Sequence, residues 1–293
     1  MLRANRGGSG ARTLAAGVIA LGTVCAWTNA QESNLKQPWS NYKVHDMDRP
    51  KPPVVDPGPA PAEPVKPPSD AIVLFDGKDL SKWESAAGRV AGASAPEWKV
   101  ENGVATVAGR TSIRTKEKFG DIQLHLEWAE PNPPKGTSQG RGNSGVVIMG
   151  RFETQVLDSY KADTYADGQC GAVYGQFPPL VNACRAPGEW QTYDIIFHKP
   201  RYKDGKLDRP ARITVIQNGV VVQADTEYFG PTGHNMIAKW PDTPLPEEAP
   251  LTLQNHGGDL VRYRNVWVRK LDKLEEFQKG KGAPVPSEYE SKK

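Results

Sequence analysis

Cysteine and clustered metal ligands are scarce in this chain of 293 residues, which has three cysteines and five histidines. No CxxC or HxxxH spacing occurs, and structural zinc sites depend on such closely spaced ligands. The net charge is small as well, at +3. The chain also lacks a basic stripe interleaved with aromatic residues and a glycine-rich phosphate loop, so nucleic acids and anionic membranes are poor candidate ligands. The composition favours a neutral ligand.

Helical periodicity is missing too. From Ala71 to Leu271, no window of about a dozen residues places apolar side chains at spacings of three and four. Turn pairs of the Asp-Gly and Asn-Gly type recur instead between apolar or alternating runs. The predicted strands are 72–75, 98–101, 104–108, 112–115, 121–130, 144–149, 152–158, 192–198, 212–217, 220–226, 251–254 and 263–270. Many short strands separated by turns predict an all-β protein, a two-sheet sandwich.

The N-terminus has the order of a secretory signal peptide. Three arginines precede an apolar run of about 15 residues that ends near Ala30. This run is short for a membrane span, which needs about 20 residues. We therefore predict a signal peptide over 1–30 and a periplasmic or secreted mature protein without a transmembrane segment. A lipid anchor at Cys25 is disfavoured because the residues before it lack the usual lipoprotein pattern.

The rest of the chain divides by composition. Residues 31–70 include a proline-rich stretch with few apolar side chains, which predicts a disordered, extended linker. Residues 71–272 have the composition of one folded domain, and residues 273–293 are a charged tail.

Cys170 and Cys184 are the two cysteines that follow the predicted signal peptide. An even number of cysteines in an oxidising compartment is typical of a disulfide. Such a bond would close a loop of about 15 residues and stabilise the fold by up to roughly 3 kcal/mol. Two free thiols are the alternative.

Polar and apolar side chains alternate in several predicted strands. In 122–128, Gln123, His125 and Glu127 occupy the face opposite to four apolar residues, because strand side chains alternate between faces. The same pattern recurs in later strands, at Glu153, Gln155, Gln254, His256, Arg262 and Arg264. A solvated face usually carries Lys, Thr, Ser and Glu, so this set predicts a groove for a polar, neutral ligand. An ordinary wet face is the alternative.

Several strings of this sequence resemble the 3-keto-disaccharide hydrolase family. They are, in order, residues 74–80 with Trp83, 143–146, 152–159, 171–175, 188–190, 217–219, 253–257 and 263–266. The resemblance covers roughly Ala71 to Leu271. It implies a jelly-roll sandwich of the concanavalin A-like lectin/glucanase type, with a site on its concave sheet and activity on glycosides oxidised to the ketone at C3.

The family's site positions correspond here to Glu153, Gln155, Asp158, Gln254, His256 and Arg264. Asn255 stands where the family often has an acidic or small polar residue. A ketone at C3 acidifies the hydrogen at C2, because the resulting anion is an enolate. We therefore predict that Glu153 or His256 removes this proton and that Arg264 holds the developing oxyanion. The predicted substrate contacts are Gln155, Asp158, Gln254, Glu127 and Tyr174.

Two other classes of function remain as alternatives. A conventional glycosidase would use a pair of carboxylates, Glu127 and Glu153, separated by roughly 5 to 9.5 Å. A non-catalytic sugar-binding module of the cell envelope would need only the sandwich and its loop aromatics. A divalent metal ion also stays open as a cofactor, since Glu153, Asp158 and His256 could supply ligands.

Overall fold

The computed structural model describes residues 34–86 and 94–272, together with residues 274, 278 and 280. The predicted signal peptide and most of the predicted C-terminal tail lie outside these residues. Within the described part, no helix is both long and apolar enough to cross a membrane.

Strands dominate the described chain. They are β1 (Ile72–Phe75), β2 (Trp83–Ala86), β3 (Lys99–Glu101), β4 (Val104–Thr106), β5 (Ser112–Phe119), β6 (Ile122–Ala129), β7 (Ser144–Ile148), β8 (Phe152–Val156), β9 (Gln191–His198), β10 (Arg201–Lys203), β11 (Lys206–Arg209), β12 (Arg212–Gln217), β13 (Val220–Glu227), β14 (Ala249–Leu253) and β15 (Arg262–Lys270). Two 3₁₀ turns, Ser138–Gly140 and Ala166–Gly168, accompany them.

The strands form two main sheets. One has the order β13-β12-β9-β6-β15-β4-β3, with β1 also paired to β15, and the other has the order β2-β5-β14-β7-β8. Strands β10 and β11 make a separate hairpin. The pairings within both sheets are antiparallel. The predicted all-β, concanavalin-like jelly-roll sandwich is confirmed.

The core lies between the inner faces of the two sheets. On β6, Leu124, Leu126 and Trp128 are fully buried there, while the residues between them face outward. On β8, Phe152 points inward and packs on Phe197 of β9, with ring centroids 5.3 Å apart. Burial of each such side chain stabilises the fold by about 1.5–3 kcal/mol. The outer faces of the sheets are therefore free to carry polar groups.

Each predicted strand is present, with bounds that differ by a few residues. Three strands were not predicted: β2, β10 and β11. These are short segments of three or four residues that are mostly charged or polar, so they lack the alternation on which the prediction rests.

Residues 34–70 differ from the predicted disordered linker, because they make specific contacts with the sandwich. Gln37, Val44 and His45 are buried. Further along, the Val55 N–H donates to the carbonyl of Asn182 at 3.0 Å. The Val65 N–H donates to the Glu127 carboxylate on the outer face of the larger sheet at 3.0 Å. The segment is extended as expected, but it wraps around the domain.

The predicted disulfide is not formed: Cys170 and Cys184 are both free and buried. Each thiol already has polar neighbours: Cys170 Sγ lies 2.9 Å from Tyr193 Oη and accepts a hydrogen bond from Gln217 Nε2 at 3.2 Å, and Cys184 Sγ donates to the Leu157 carbonyl at 3.7 Å. Burial, together with the adjacent Cys184 thiol, raises the pKa of Cys170 well above its ordinary value. The loop between the two cysteines is held by packing and hydrogen bonds.

Candidate functional site

The outer face of the smaller sheet presents two cross-strand rows of residues beside its β8 edge. In the first row, Val147 of β7 pairs with Glu153 of β8 on one side and with Thr252 of β14 on the other. In the second row, Gly145 pairs with Gln155 and accepts the Gln254 N–H at 2.9 Å. Because adjacent strands lie about 4.8 Å apart, Glu153, Gln155 and Gln254 border one patch of this face.

Gly145 leaves the space that the Glu153 carboxylate occupies. A Cβ atom at residue 145 would lie 2.4 Å from Glu153 Oε1. With its nitrogen turned toward the carboxylate, the Gln155 amide donates to Glu153 Oε1 at 3.3 Å and to the Ser144 carbonyl at 3.0 Å. Because residue 145 on β7, the strand next to β8, is a glycine, the Glu153 carboxylate can lie flat on the sheet beside an amide donor.

Glu153 is a half-buried residue whose carboxyl group is partly withdrawn from water. Burial raises the pKa of Glu153 to about 7, and the nearby positive charge of His256 opposes this increase. A carboxyl group with such a pKa is partly ionised at neutral pH. It can therefore accept a proton and release it again.

His256 lies on the turn that follows β14. Its side chain is 33% exposed, and its Nδ1 lies 3.6 Å from Asp259 Oδ2. The preceding Asn255 holds the turn in place, since its side chain donates to the carbonyls of Ala108 and Gly109 at 3.2 Å and accepts the Gly258 N–H at 2.9 Å. The departure from the family pattern at Asn255 therefore has a structural role beside His256.

A row of aromatic and imidazole rings forms a wall next to Glu153. The Tyr174 N–H donates to the Glu153 carbonyl at 3.3 Å, which places Tyr174 alongside β8. Its hydroxyl lies 3.1 Å from Tyr165 Oη and 3.0 Å from His234 Nδ1. Burial raises the pKa of both tyrosines, and the charge of Glu153 raises it further. Both hydroxyls therefore stay protonated at neutral pH.

Asp158 is close to this patch but is already engaged. Its Oδ2 accepts a hydrogen bond from Arg141 Nε at 2.6 Å, and its Oδ1 accepts the Tyr160 N–H at 3.2 Å. Burial raises the pKa of Asp158, while Arg141 opposes the increase. These bonds tie the loop after β8 to the segment before β7, so Asp158 is a structural residue here rather than a free substrate contact.

The prediction that Arg264 shares a site with Glu153 is wrong. Arg264 lies on β15 of the larger sheet, where its Nε donates to Glu127 Oε2 of β6 at 2.6 Å. Its guanidinium also stacks over the Trp190 ring at 4.0 Å. The side chains of Arg264 and Glu127 face outward from the larger sheet, whereas Glu153 faces outward from the smaller sheet. Because the two sheets are packed face to face through the core, these outer faces point in opposite directions.

Glu127 also lies away from the other predicted substrate contacts, on the larger sheet. Burial alone would raise its pKa, but the His125 ring 3.8 Å away and hydrogen bonds from Asn265 and Arg264 outweigh this and lower it to about 2. For His125, burial acts against protonation, yet a hydrogen bond to Asp194 and the nearby Glu127 carboxylate raise its pKa to about 9. This network is an ionised cluster that pins the 60–70 segment to the larger sheet through the Val65 N–H and the Val65 carbonyl.

The structure therefore brings together Glu153, Gln155, Gln254, His256 and Tyr174, and it leaves Glu127 and Arg264 on the opposite side. Tyr165, Asp167, His234 and His45 are neighbours of the site that the sequence analysis did not assign to it. The chain has only five histidines, and three of them, His45, His234 and His256, interact electrostatically in this region. Because histidine is rare in this chain, the positions of His45 and His234 could have been considered as candidate site residues from the sequence. Among the described residues, no three His, Cys, Asp or Glu side chains converge to hold a metal ion.

Fold and site together define a concanavalin-like β-sandwich protein with an acid–base patch on the outer face of its smaller sheet. Residues 70–269 match the model of the family described as the 3-keto-alpha-glucoside-1,2-lyase-like domain. The chain therefore belongs to this family. It is a carbohydrate-active, glycosyl hydrolase-like protein.

Two solved structures are similar to this chain, and the first of them supports the assignment. A proposed glycosyl hydrolase from Parabacteroides distasonis is 44% identical, with a TM-score of 0.64, over 71% of this chain and 93% of that chain. A second proposed glycosyl hydrolase from the same organism is 23% identical, with a TM-score of 0.49, over 69% of this chain and 94% of that chain. No curated protein matches the chain.

Replacing Gly145 by alanine should displace the Glu153 carboxylate from its place on the sheet, because the new Cβ would lie 2.4 Å from Oε1. We expect the pKa of Glu153 to fall by about one unit or more as the carboxylate moves toward water. Carbon-13 NMR titration of labelled glutamates measures this, with the Glu153 signal assigned from Glu153→Gln. Gly140→Ala is the matched control, since nothing lies within 4 Å of its added Cβ. An unchanged titration in Gly145→Ala would contradict the tight fit described here.

Replacing Arg264 by methionine should reduce stability without altering the site. Loss of one partner of the buried Glu127 carboxylate should lower the free energy of unfolding by about 1–3 kcal/mol, measured by urea denaturation. The Glu153 titration should stay unchanged. Arg212→Met provides the control, because the exposed Arg212–Asp225 pair should contribute less than about 1 kcal/mol. A shifted Glu153 titration in Arg264→Met would place Arg264 back in the site.

Proposed function

We propose that this protein cleaves 3-keto-glycosides by removing the C2 proton and eliminating the C1 substituent, with Glu153 as the base. The observation that supports this proposal best is the pKa of Glu153, raised by burial to about 7 beside His256. General bases work best when their pKa is near the working pH. The family description and the solved relative from Parabacteroides distasonis agree with cleavage of a glycosidic bond.

The chemistry follows from the ketone. Glu153 takes the proton from C2, and the electron pair of the C–H bond forms an enolate with the C3 carbonyl. When this carbonyl re-forms, the pair moves between C1 and C2 and the bond from C1 to the glycosidic oxygen breaks. The leaving oxygen takes a proton, for which His256, one-third exposed on the turn after β14, is the candidate donor. Addition of water to the resulting enone gives net hydrolysis.

Neutral donors surround the base in this arrangement. The half-buried Gln254 amide borders the patch and can bind sugar hydroxyls, whereas the Gln155 amide is buried and donates to Glu153 and to the Ser144 carbonyl. Tyr174 remains protonated, because burial raises its pKa, and so keeps a hydroxyl hydrogen available. Hydrogen-bond donors aimed at a developing oxyanion can accelerate a reaction by about 10²–10³. The oxyanion role that the sequence analysis gave to Arg264 thus passes to donors on the Glu153 face.

The alternative of a conventional glycosidase built on Glu127 and Glu153 is not supported. Such enzymes need both carboxylates on the same side of one sugar, roughly 5 to 9.5 Å apart. Here the two residues lie on oppositely directed outer faces, and Glu127 is held ionised by Arg264, Asn265 and His125. A non-catalytic sugar-binding module remains as the competing class for the experiment below.

Incubation of the purified protein with an α-linked glucose disaccharide and with its 3-keto form tests the proposal. We expect cleavage of the keto sugar alone, with deuterium at C2 lost from a labelled substrate. Cleavage of the parent disaccharide would indicate a conventional glycosidase, and binding without cleavage would indicate a sugar-binding module. Either result would overturn elimination at C2.

In the same assay, Glu153→Gln should lower kcat/KM by about 10² to 10⁴ because the base is lost. In the parent protein, kcat/KM should fall as the pH drops below about 7, since protonation of Glu153 removes the base. Glu84→Gln is the control: this residue lies on the outer face at the far edge of the same sheet, paired with Arg114. Full activity of Glu153→Gln would contradict the assignment.

We also propose export of the protein through a signal peptide to the periplasm or the medium, supported by the basic and then apolar order of residues 1–30. Cell fractionation followed by N-terminal sequencing should find a mature chain that begins at Gln31. An intact N-terminus in the cytoplasmic fraction would contradict this.

A further inference from the structure

Residues 34–59, here called the arm, dock against the same wall of rings that borders Glu153. The arm lies before residue 70, where the match to the family begins. Gln37 Nε2 donates to the Gly175 carbonyl at 2.7 Å, next to Tyr174. Farther along, Arg185 Nε donates to the Gly58 carbonyl at 2.9 Å. Contacts at both of its ends therefore fix the arm on the domain.

The arm places one side chain deep in the wall. His45 is 1% exposed, and its ring lies 4.1 Å from the Tyr165 ring and 5.0 Å from the Tyr174 ring, between centroids. The His234 ring is 5.3 Å away. Asp167 anchors the residue, because its Oδ2 accepts the His45 N–H at 3.1 Å and its Oδ1 lies 3.5 Å from Nδ1. Within the described part of the chain, neither ring nitrogen of His45 has a hydrogen-bond partner.

The backbone conformation of His45 is unfavourable for a residue with a side chain, so inserting this ring has a cost in stability. Its φ is 61°, in the left-handed region that residues other than glycine seldom adopt. Non-glycine residues in this region carry a conformational cost and persist where surrounding contacts hold them. The contacts that hold His45 are those with Asp167 and the two tyrosines.

We propose that His45 is a positioning residue of the Glu153 site, and that the site is complete only when the arm is docked. The ring of His45 backs Tyr165 and Tyr174, whose hydroxyls bond to each other at 3.1 Å and continue to His234 at 3.0 Å. Tyr174 in turn bonds through its backbone to Glu153. Loss of the ring would leave both tyrosines unsupported and would admit water to the carboxylate.

The titratable groups that interact electrostatically with Glu153 are His256, Tyr165, Tyr174, Tyr228 and Tyr263. Tyr228 and Tyr263 lie in the core on the other side of the sheet, whereas Tyr165 and Tyr174 belong to the wall, so the titration of Glu153 reports on the wall. Because burial is the main reason for the raised pKa of Glu153, water that enters the site should lower this pKa toward its ordinary value. This reporter does not depend on any reaction, so the positioning role can be tested even if the proposed function is wrong. The proposal rests on that function only for its kinetic readout.

The experiment compares variants of the full chain by carbon-13 NMR titration of Glu153 and by kcat/KM on a 3-keto-glycoside. His45→Asn removes the ring and suits the positive φ, since asparagine adopts this conformation readily. We expect the pKa of Glu153 to fall by about one unit or more, and kcat/KM by about tenfold or more. His45→Phe keeps an aromatic ring and should restore most of both values.

Two further variants separate positioning from simple stability. Gly168→Ala would place a Cβ 2.0 Å from Tyr165 Cε2 and should displace the same ring from the other side, with a similar fall in the Glu153 pKa. Trp39→Leu removes an arm ring that stacks on Phe229, with centroids 4.2 Å apart, and should lower stability without moving the titration. The proposal is overturned if His45→Asn titrates like the parent protein, or if Trp39→Leu shifts Glu153 equally. A fall in kcat/KM without a change in titration would also overturn it.

Discussion

The site depends on one constraint: the carboxylate of Glu153 is partly withdrawn from water on a sheet face that also carries a histidine beside it. Burial raises its pKa to about 7, against the opposing charge of His256. Three features of the fold produce this environment. Gly145 gives the carboxylate room, Gln155 lies next to it, and the Tyr174 segment runs alongside β8.

A second glutamate on the same domain shows how much the surroundings decide. Glu127 is also withdrawn from water, but the nearby His125 ring and hydrogen bonds from Asn265 and Arg264 lower its pKa to about 2. The side chain type is the same and the direction of the shift is opposite, because one carboxylate has cationic partners in contact and the other has mainly amide and aromatic neighbours. The first arrangement fixes structure, while the second leaves a proton acceptor that changes state near neutral pH.

Local pattern explains which parts of this molecule were predictable from sequence. The alternation in β6 and β8 correctly separated core residues from outward ones, whereas a bulge between Arg264 and Trp267 breaks it in β15 and turns Trp267 to the outer face, where it stacks on His125. Glu153 and Gln155 share a face because they alternate on one strand, and Gln254 joins them by pairing with Gly145 of β7. Membership of a sheet is a different matter, since it depends on pairing between segments far apart in sequence. Arg264 and Glu127 had the right alternation but lie in the other sheet. The arm was missed for a related reason: a few buried residues within a proline-rich segment leave its average composition that of a linker.

The same electrostatics set stability against function. The folded pKa of Glu153, about 7, lies above its ordinary value of 4.5, so this group favours folding at low pH and disfavours it by up to about 3 kcal/mol as pH rises through that interval. His125, raised from 6.5 to about 9, stabilises fully below 6.5 and loses its effect as pH rises to 9. Glu127 acts in the opposite sense, since its contribution is complete above 4.5 and is lost as pH falls toward 2. Together these three groups favour the folded state most near the ordinary carboxyl pKa, whereas an ionised Glu153 requires a higher pH. An ionised Glu153 lowers the free energy of unfolding, and the contacts of the arm and of the Glu127 network offset part of this loss. This gives a physical reason for an N-terminal segment that wraps around a sandwich with a full core.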